Sequence, residues 1–214
     1  MANDNVPGPK GTDVFRDPLP VDPFPATGGG ALPVPGGTEL KAGDRIIKRV
    51  KRDWDANSPR TTPAIQVHGK TLEEVGKGLN ALPGEWGQGG GILRNDPVPE
   101  GTSAEVEVTL HGNLVYRIVE WVEYSTGSTK GKANWDAMIA KLKVHEDKHL
   151  ANAIAAAEQC ANDLIDKEIL QLAGIVTKAN TALQAVQDAL DTATDHGAKA
   201  NVPYGDVILD TDES

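Results

Sequence analysis

Apolar and polar residues alternate with a period of two between residues 104 and 124. Three apolar residues share one side of the first half of this pattern: Val106, Val108 and Leu110. The segment His111-Gly112-Asn113 separates this half from a second alternating run, Leu114 to Tyr124. Alternation marks strands with one buried face, and Gly-Asn favours a tight reversal. The pattern predicts a β-hairpin with its tip at Gly112-Asn113.

Shorter apolar runs precede this hairpin. Ile46, Ile47 and Val50 predict one strand, and Ala64 to His68 predict another. Thr71 stands three residues before Glu74, which is capping-box spacing at the start of a helix. Residues 82 to 102 are rich in Gly and Pro, which predicts a long loop beside a cleft.

Two helical segments dominate the second half of the chain. The run from Asn134 to about Ala173 lacks Pro and Gly and is rich in Ala, Leu, Lys and Glu, so it predicts one long helix that stops at Gly174. A second helix is predicted from Ile175 to about Asp195, before Gly197. The two helices predict an antiparallel hairpin. Together with the strands, they predict an α+β fold in which a small antiparallel sheet packs on this helical hairpin.

Composition divides the chain into two parts. Residues 1–43 are rich in Pro and Gly and poor in apolar side chains, so they predict a flexible or disordered arm, and residues 44–214 predict one folded domain. The arm is either a tether or an extended Pro-rich ligand for a partner protein, presenting Phe15 and Phe24.

Charge and hydropathy exclude several classes of function. A formal net charge of -10 argues against binding to nucleic acid, which requires clustered basic residues. No segment approaches the roughly 18 consecutive apolar residues of a membrane span, so we expect a soluble protein. The first 30 residues show no conventional signal peptide, which favours a cytoplasmic protein or non-classical secretion, or removal of a signal. Cys160, the single cysteine, is expected to be a small buried side chain.

The long helix contains the sequence His145-Glu146-Asp147-Lys148-His149. Two histidines four residues apart project from one helix face and are able to share a zinc ion, and the glutamate beside them is placed to act as a general base. From the frequencies of His and Glu, this pattern is expected by chance roughly 0.007 times in a chain of this length. The motif therefore predicts a zinc-dependent hydrolase.

A catalytic zinc site needs a third protein ligand. If the helices meet at Gly174, the return helix brings His196 to the level of His145 and His149, and His196 is the candidate. The alternative is that His196 only caps the negative end of the second helix. His68 and His111 lie at a strand end and a hairpin tip, where local hydrogen bonding explains them.

Trp135, the segment Val144 to His149 and the segment Asp191 to Gly197 resemble the domain of unknown function 922 family of predicted secreted zinc-dependent proteases. The similarity covers roughly residues 64 to 205. The resemblance implies a zincin-like domain over residues 44–214, with His145, His149 and His196 as zinc ligands and Glu146 as general base. It further implies that three residues orient His196: Asp191, Thr194 and Asp195. The alternative for each is a solvated polar side chain at the end of the helix.

The resulting prediction is a zinc-dependent peptidase that acts on a peptide or protein substrate. A donor that stabilises the developing oxyanion is also needed, and Tyr204 or Tyr124 is a candidate. Two alternatives stay open. One is a non-catalytic interaction module made of the helical hairpin and the Pro-rich arm. The other is a zinc-binding protein that is inactive or that hydrolyses a different amide.

Overall fold

The computed structural model describes residues 5–6, 45–55, 59–61, 64–98 and 103–213. The predicted arm, residues 1–43, lies outside the described residues apart from a two-residue strand at Asn5–Val6. That this arm binds a partner protein therefore stays a prediction. In chain order the elements are β1 (Asn5–Val6), β2 (Ile46–Asp53), β3 (Arg60–Thr61), β4 (Ile65–Val67), α1 (Leu72–Ala81), β5 (Gly87–Asn95), β6 (Glu105–Trp121), α2 (Thr129–Leu164), α3 (Leu172–Thr194) and β7 (Leu209–Asp210). The described part of the chain is therefore α+β, with a small open sheet and three α-helices.

The sheet is organised around β6. The strands β2, β3 and β4 pair with β6 in parallel orientation, and β5 pairs with it in antiparallel orientation. A separate two-stranded pairing joins β1 to β7. The prediction of an antiparallel sheet is therefore wrong. The parallel pairings arise because a crossover containing α1 and β5 returns the chain to the start of β6, as parallel neighbours require.

The predicted β-hairpin over residues 104–124 is also wrong, because β6 is one continuous strand of 17 residues. The period of two continues through Gly112, which is buried like Leu110 and Leu114 on either side of it. Gly112 is small enough to face the Trp54 side chain, whose Cβ and ring Cγ would lie 3.2 and 3.3 Å from an added Cβ. Glycine here serves close packing instead of chain reversal.

Strand β5 occupies the middle of the segment that was predicted to be a loop, nine residues in length. Its residues Gly87 to Asn95 pair in unbroken register with Ile118 to Leu110 of β6. Glycine has a poor strand propensity in general, so the composition of Gly87-Gln88-Gly89-Gly90-Gly91 favoured a loop. The segment forms a strand because it pairs with β6, and Gly87 and Gly89 lie against Glu146 of α2, where larger side chains do not fit.

Helices α2 and α3 form the predicted helical hairpin, but its turn is earlier than expected. Helix α2 ends at Leu164, and Gly174 lies inside α3 with no atom within 4 Å of an added Cβ. Between the helices, Asp166 N donates to Ile47 O at 2.8 Å and Ile47 N donates to Lys167 O at 2.9 Å. Backbone bonding to β2 thus competes with helix continuation and ends α2.

Two local predictions are confirmed. Thr71 is the N-cap of α1, and its hydroxyl accepts from the Glu74 N–H at 3.3 Å. Cys160 is 1 % exposed. Within the described ranges, no helix has both the length and the apolar character required to cross a membrane.

The core lies between the sheet and the helical hairpin, in two main clusters. One joins β2 and β6 to the C-terminal half of α2 and the start of α3, and the other joins β4, the end of β6 and α1 to the N-terminal half of α2. A smaller cluster of Leu114, Ala153 and Leu183 lies between them. Next to this small cluster, the apolar packing is interrupted by polar residues of α2.

Candidate metal centre

The two motif histidines stand in the buried stripe of α2. Trp135, Met138 and Leu142 occupy this stripe before them, and Ala153 and Ala157 occupy it after them. His145 is 3 % exposed and His149 is 6 % exposed. Their Nε2 atoms lie 3.1 Å apart. Buried polar side chains in an otherwise apolar stripe require partners, and these two point at each other.

Partners on other elements determine which ring nitrogen of each histidine carries the proton. The Nδ1 of His145 lies 2.9 Å from the backbone carbonyl oxygen of Tyr204, which only accepts. The Nδ1 of His149 lies 2.7 Å from Oε1 of Gln187, and the same amide donates through Nε2 to the His149 carbonyl oxygen at 3.0 Å. Both Nδ1 atoms are therefore donors, and both Nε2 atoms are left with a free lone pair.

Asp191 of α3 completes this group. Its Oδ1 lies 2.9 Å from His149 Nε2 and 3.4 Å from His145 Nε2. Although burial alone would raise it, contacts with His145 and His149 hold the pKa of Asp191 well below its ordinary value. Burial alone would lower the pKa of His149, but the contact with Asp191 outweighs it and leaves the pKa of His149 above its ordinary value.

These three donor atoms fit a divalent transition metal. With both rings protonated on Nδ1, three lone-pair atoms at 2.9, 3.1 and 3.4 Å repel one another unless a proton or a metal cation lies between them. Donors bonded to a tetrahedral zinc ion at about 2.1 Å lie roughly 3.4 Å apart. Imidazole nitrogen and carboxylate oxygen are also donors that zinc accepts in proteins. Both the spacing and the chemistry of the group therefore suit a zinc-sized ion.

His196 lies beside Asp191 but at a greater distance. Its Nδ1 is 4.0 Å from Asp191 Oδ1 and 3.8 Å from Glu85 Oε1. This nitrogen is buried and has no hydrogen-bond partner among the described residues. His196 joins Glu85 and Asp191 in a second group of potential metal ligands, which shares Asp191 with the first. The ligand set of three histidines implied by the family resemblance stays a prediction.

Glu85 was missed by the sequence analysis. It precedes β5 in the segment predicted as a loop, next to Trp86, whose Nε1 donates to the Leu79 carbonyl oxygen at 3.3 Å and which is 1 % exposed. Burial, together with the nearby carboxylate of Asp191, raises the pKa of Glu85. The only sequence signal was an acidic residue just before a glycine-rich run, which is too common to single out.

Glu146 lies under strand β5 and is 4 % exposed. A Cβ on Gly87 would lie 2.5 Å from Glu146 Oε1, and a Cβ on Gly89 would overlap the Glu146 backbone carbonyl oxygen. Burial raises the pKa of Glu146 to about 7, although His145, His149 and a hydrogen bond from the Gly89 N–H act in the opposite direction. The glycines of β5 thus place a buried carboxyl group beside the histidine pair.

The end of α3 and the turn that follows it, residues 194–197, carry His196 on the side of the centre opposite α2. The Thr194 hydroxyl donates to the Leu190 carbonyl oxygen at 2.8 Å and accepts from the Gly197 N–H at 3.1 Å. Asp195 and His196 both adopt the left-handed conformation, and the His196 N–H donates to the Asp191 carbonyl oxygen at 2.9 Å. Asp195 is exposed. Thr194 therefore stabilises the turn that carries His196, whereas the Asp191 carboxylate faces the histidine pair directly.

The remaining candidates have local partners. The backbone of Tyr204 accepts from His145, while its ring lies 5.8 Å from the Lys148 ammonium and is exposed. Its role at an oxyanion stays a prediction. Tyr124 donates to Asp136 at 2.8 Å. His68 contacts Glu123, and His111 contacts Asp53 and Asp96. Neither of these two histidines belongs to a group of potential metal ligands in the described part of the chain.

Fold and site together define an α+β protein with a buried His/Asp/Glu group suited to a divalent metal ion. The family model described as a bacterial protein of unknown function (DUF922) matches residues 64–197, and the chain belongs to this family. This result confirms the resemblance found in the sequence. The match extends from β4 to Gly197 and so includes every candidate ligand named above. No curated protein and no solved structure matches the chain.

Proposed function

We propose that this protein is a zinc-dependent peptidase. The observation that carries the proposal is the convergence of His145 Nε2, His149 Nε2 and Asp191 Oδ1 on one point, beside the buried carboxyl group of Glu146. Metal-assisted hydrolysis of an amide requires a metal centre and a base next to it. This arrangement favours a metal-dependent hydrolase over a non-catalytic interaction module. A module that binds partners through its surface does not require a buried group of polar side chains.

His145, His149 and Asp191 are the protein ligands that the distances favour. Zinc bound to them supplies Lewis-acid activation of water and of a carbonyl group. The family resemblance implies His196 as the third ligand. Its Nδ1 has no hydrogen-bond partner among the described residues and lies 4.0 Å from Asp191 Oδ1, on the solvent side of the group. Both assignments retain the histidine pair, and they differ in which residue of the α3 end is essential for metal binding.

Glu146 is the proposed general base. Its carboxylate takes a proton from the attacking water and later returns it to the leaving amine. The cover of β5 excludes bulk water from this carboxylate, and the Gly89 N–H holds it in place. Its sequence neighbour His145 is held by the Tyr204 carbonyl, so base and ligand are positioned by two different parts of the chain.

The exposed side chains nearest this centre indicate where a substrate would approach it. His145, Glu146 and His149 are buried, whereas the side chains of His196 and Glu85 are 33 % and 30 % exposed. These two side chains therefore form the solvent-facing rim of the centre. We expect a peptide carbonyl to approach the metal position from this side, and Tyr204 remains the candidate for oxyanion stabilisation.

The test combines metal content with a peptide-library digest. We expect about one zinc per chain in the wild type, loss of zinc in His149→Ala, and retention of zinc without hydrolysis in Glu146→Gln. Glu158→Gln is the matched control, because it makes the same chemical change at an exposed position of the same helix. Wild-type protein that binds no zinc after reconstitution overturns the proposal. Zinc binding without hydrolysis of any peptide indicates an inactive relative or a hydrolase of a different amide.

A further inference from the structure

We propose that Gln187 is the positioning residue that keeps His149 in its metal-binding tautomer. The proposal concerns the metal centre on which the proposed function rests. Gln187 lies on α3 and contacts His149 twice, with Oε1 at 2.7 Å from the ring Nδ1 and Nε2 at 3.0 Å from the backbone carbonyl oxygen. Both ends of one amide are thus used on a single residue of α2.

This double contact gives the amide a defined orientation. If the Gln187 amide were flipped, its NH2 group would face the His149 ring and its oxygen would face the His149 carbonyl oxygen. The ring could adapt by moving its proton to the other nitrogen, but two facing oxygens would still repel each other. A second donor, Asn152 Nδ2, lies 3.4 Å from the same Oε1 and favours the same orientation. The amide oxygen therefore faces Nδ1 and requires a proton there.

Asp191 works against this tautomer in the metal-free protein. Its Oδ1 lies 2.9 Å from His149 Nε2, so a proton on Nε2 would form a charge-assisted hydrogen bond. A proton at that position occupies the lone pair that a metal needs. Gln187 offsets the preference of Asp191 by offering an acceptor on the opposite side of the ring. Without Gln187, we expect the Nε2–H tautomer to compete with metal binding.

Helix α3 contains a second amide that makes the same kind of contact elsewhere. Asn180 lies seven residues before Gln187, about two helical turns, and therefore on nearly the same face. It accepts from Leu93 N at 2.9 Å and donates to Leu93 O at 2.9 Å. Both amides are half-buried. Asn180 joins α3 to β5 with two hydrogen bonds, as Gln187 joins α3 to His149, but its hydrogen bonds involve no candidate ligand.

The test compares zinc affinity in Gln187→Leu, Gln187→Glu and Asn180→Leu by competition with a chromophoric chelator. Loss of a partner that orients a metal-bound histidine typically weakens metal binding by 10–100-fold, and we expect about this loss in Gln187→Leu. Gln187→Glu retains an acceptor for Nδ1–H and should recover most of the affinity. Asn180→Leu should lower the melting temperature of the metal-free protein without a comparable loss of zinc affinity.

A purely structural role for Gln187 predicts a different result. In that case Gln187→Leu lowers the melting temperature as Asn180→Leu does and binds zinc as tightly as the wild type, which overturns the proposal. Nitrogen-15 NMR of the His149 ring in metal-free protein provides a readout that needs neither zinc nor peptidase activity. At a pH high enough to keep this ring neutral, wild-type protein should carry its single ring proton on Nδ1, and a single proton on Nε2 contradicts the proposal. A protein that binds zinc but cleaves no peptide refutes the peptidase and leaves the role of Gln187 standing.

Discussion

Gly87 and Glu146 lie so close together that a Cβ atom on the glycine would be 2.5 Å from the glutamate Oε1. Strand β5 therefore crosses the motif helix at a separation that only glycine permits. Gly89 repeats this relationship with the Glu146 backbone carbonyl. The glycine-rich composition of β5 follows from this contact, which keeps the proposed general base covered.

Replacing Gly87 by alanine should damage both stability and catalysis. The added methyl group has to displace the Glu146 carboxyl group, and such overpacking costs about 1–3 kcal/mol. We expect the free energy of unfolding, measured by urea titration, to fall by this amount and hydrolysis to be lost. Gly174→Ala is the control, because nothing lies within 4 Å of its added Cβ. Alanine inside α3 should stabilise the protein by about 0.5–1 kcal/mol. Equal effects of the two variants would contradict the close contact.

Removal of the Asp191 carboxylate should weaken zinc binding more than removal of the His196 ring. Asp191 contacts both Nε2 atoms, whereas His196 approaches only Asp191. We expect Asp191→Ala to lose more than about 100-fold in zinc affinity and His196→Ala to lose less, at most the 10–100-fold that is typical of an outer partner. Asp188→Ala, one turn earlier and exposed, is the control. The reverse order of the two losses would assign the third ligand to His196.

Thr194→Val should destabilise the turn that follows α3. The valine side chain has nearly the same shape but leaves the buried Gly197 N–H without its acceptor. An unsatisfied buried donor costs about 1–3 kcal/mol, and we expect this loss in the free energy of unfolding. Thr181→Val is the matched control, since the Thr181 hydroxyl donates to the Thr177 carbonyl oxygen on an exposed face of the same helix. A Thr194 variant as stable as the Thr181 variant would show that the hydroxyl is dispensable.

The stabilisation that His111 provides should disappear at high pH. Hydrogen bonds from its two ring nitrogens to Asp96 and Asp53 raise the pKa of His111 above its ordinary 6.5. A raised folded-state pKa means that the stabilisation is complete below the unfolded pKa and is lost as the pH rises through the folded one. Urea titrations at pH 6 and pH 9 should therefore show a larger deficit for His111→Gln at pH 6. A deficit independent of pH would mean that the charge of His111 contributes nothing.

Several features were predictable because they depend on local chemistry. The N-cap at Thr71 and the burial of one face of α2 both follow from patterns within a few residues. The motif histidines could be assigned to one helix face because four residues make about one turn. Membership of the family was also recognisable from the two histidine segments.

The predictions that were wrong concern features of the fold that depend on contacts between residues far apart in the chain. Gly112 marks a turn in isolation, but β2, β3, β4 and β5 all pair along β6 and hold it extended. The end of α2 depends on backbone bonds to Ile47, more than 100 residues away. Because the helices meet at residues 165–171 instead of Gly174, the return helix begins earlier and passes His149 and His145 before it reaches His196. Asp191 rather than His196 therefore faces the motif pair most closely.

The arrangement of the sheet around β6 has a consequence for the order of folding. Strands β2, β3 and β4 each pair with residues more than 50 positions later in the chain, whereas the nearest β5 pairing joins Asn95 to Leu110. Closing a long loop costs more chain entropy than closing a short one, and non-local pairings slow folding. We therefore expect β5 and β6 to pair before the parallel strands join. On this pathway, the strand that covers Glu146 is in place before the rest of the sheet is complete.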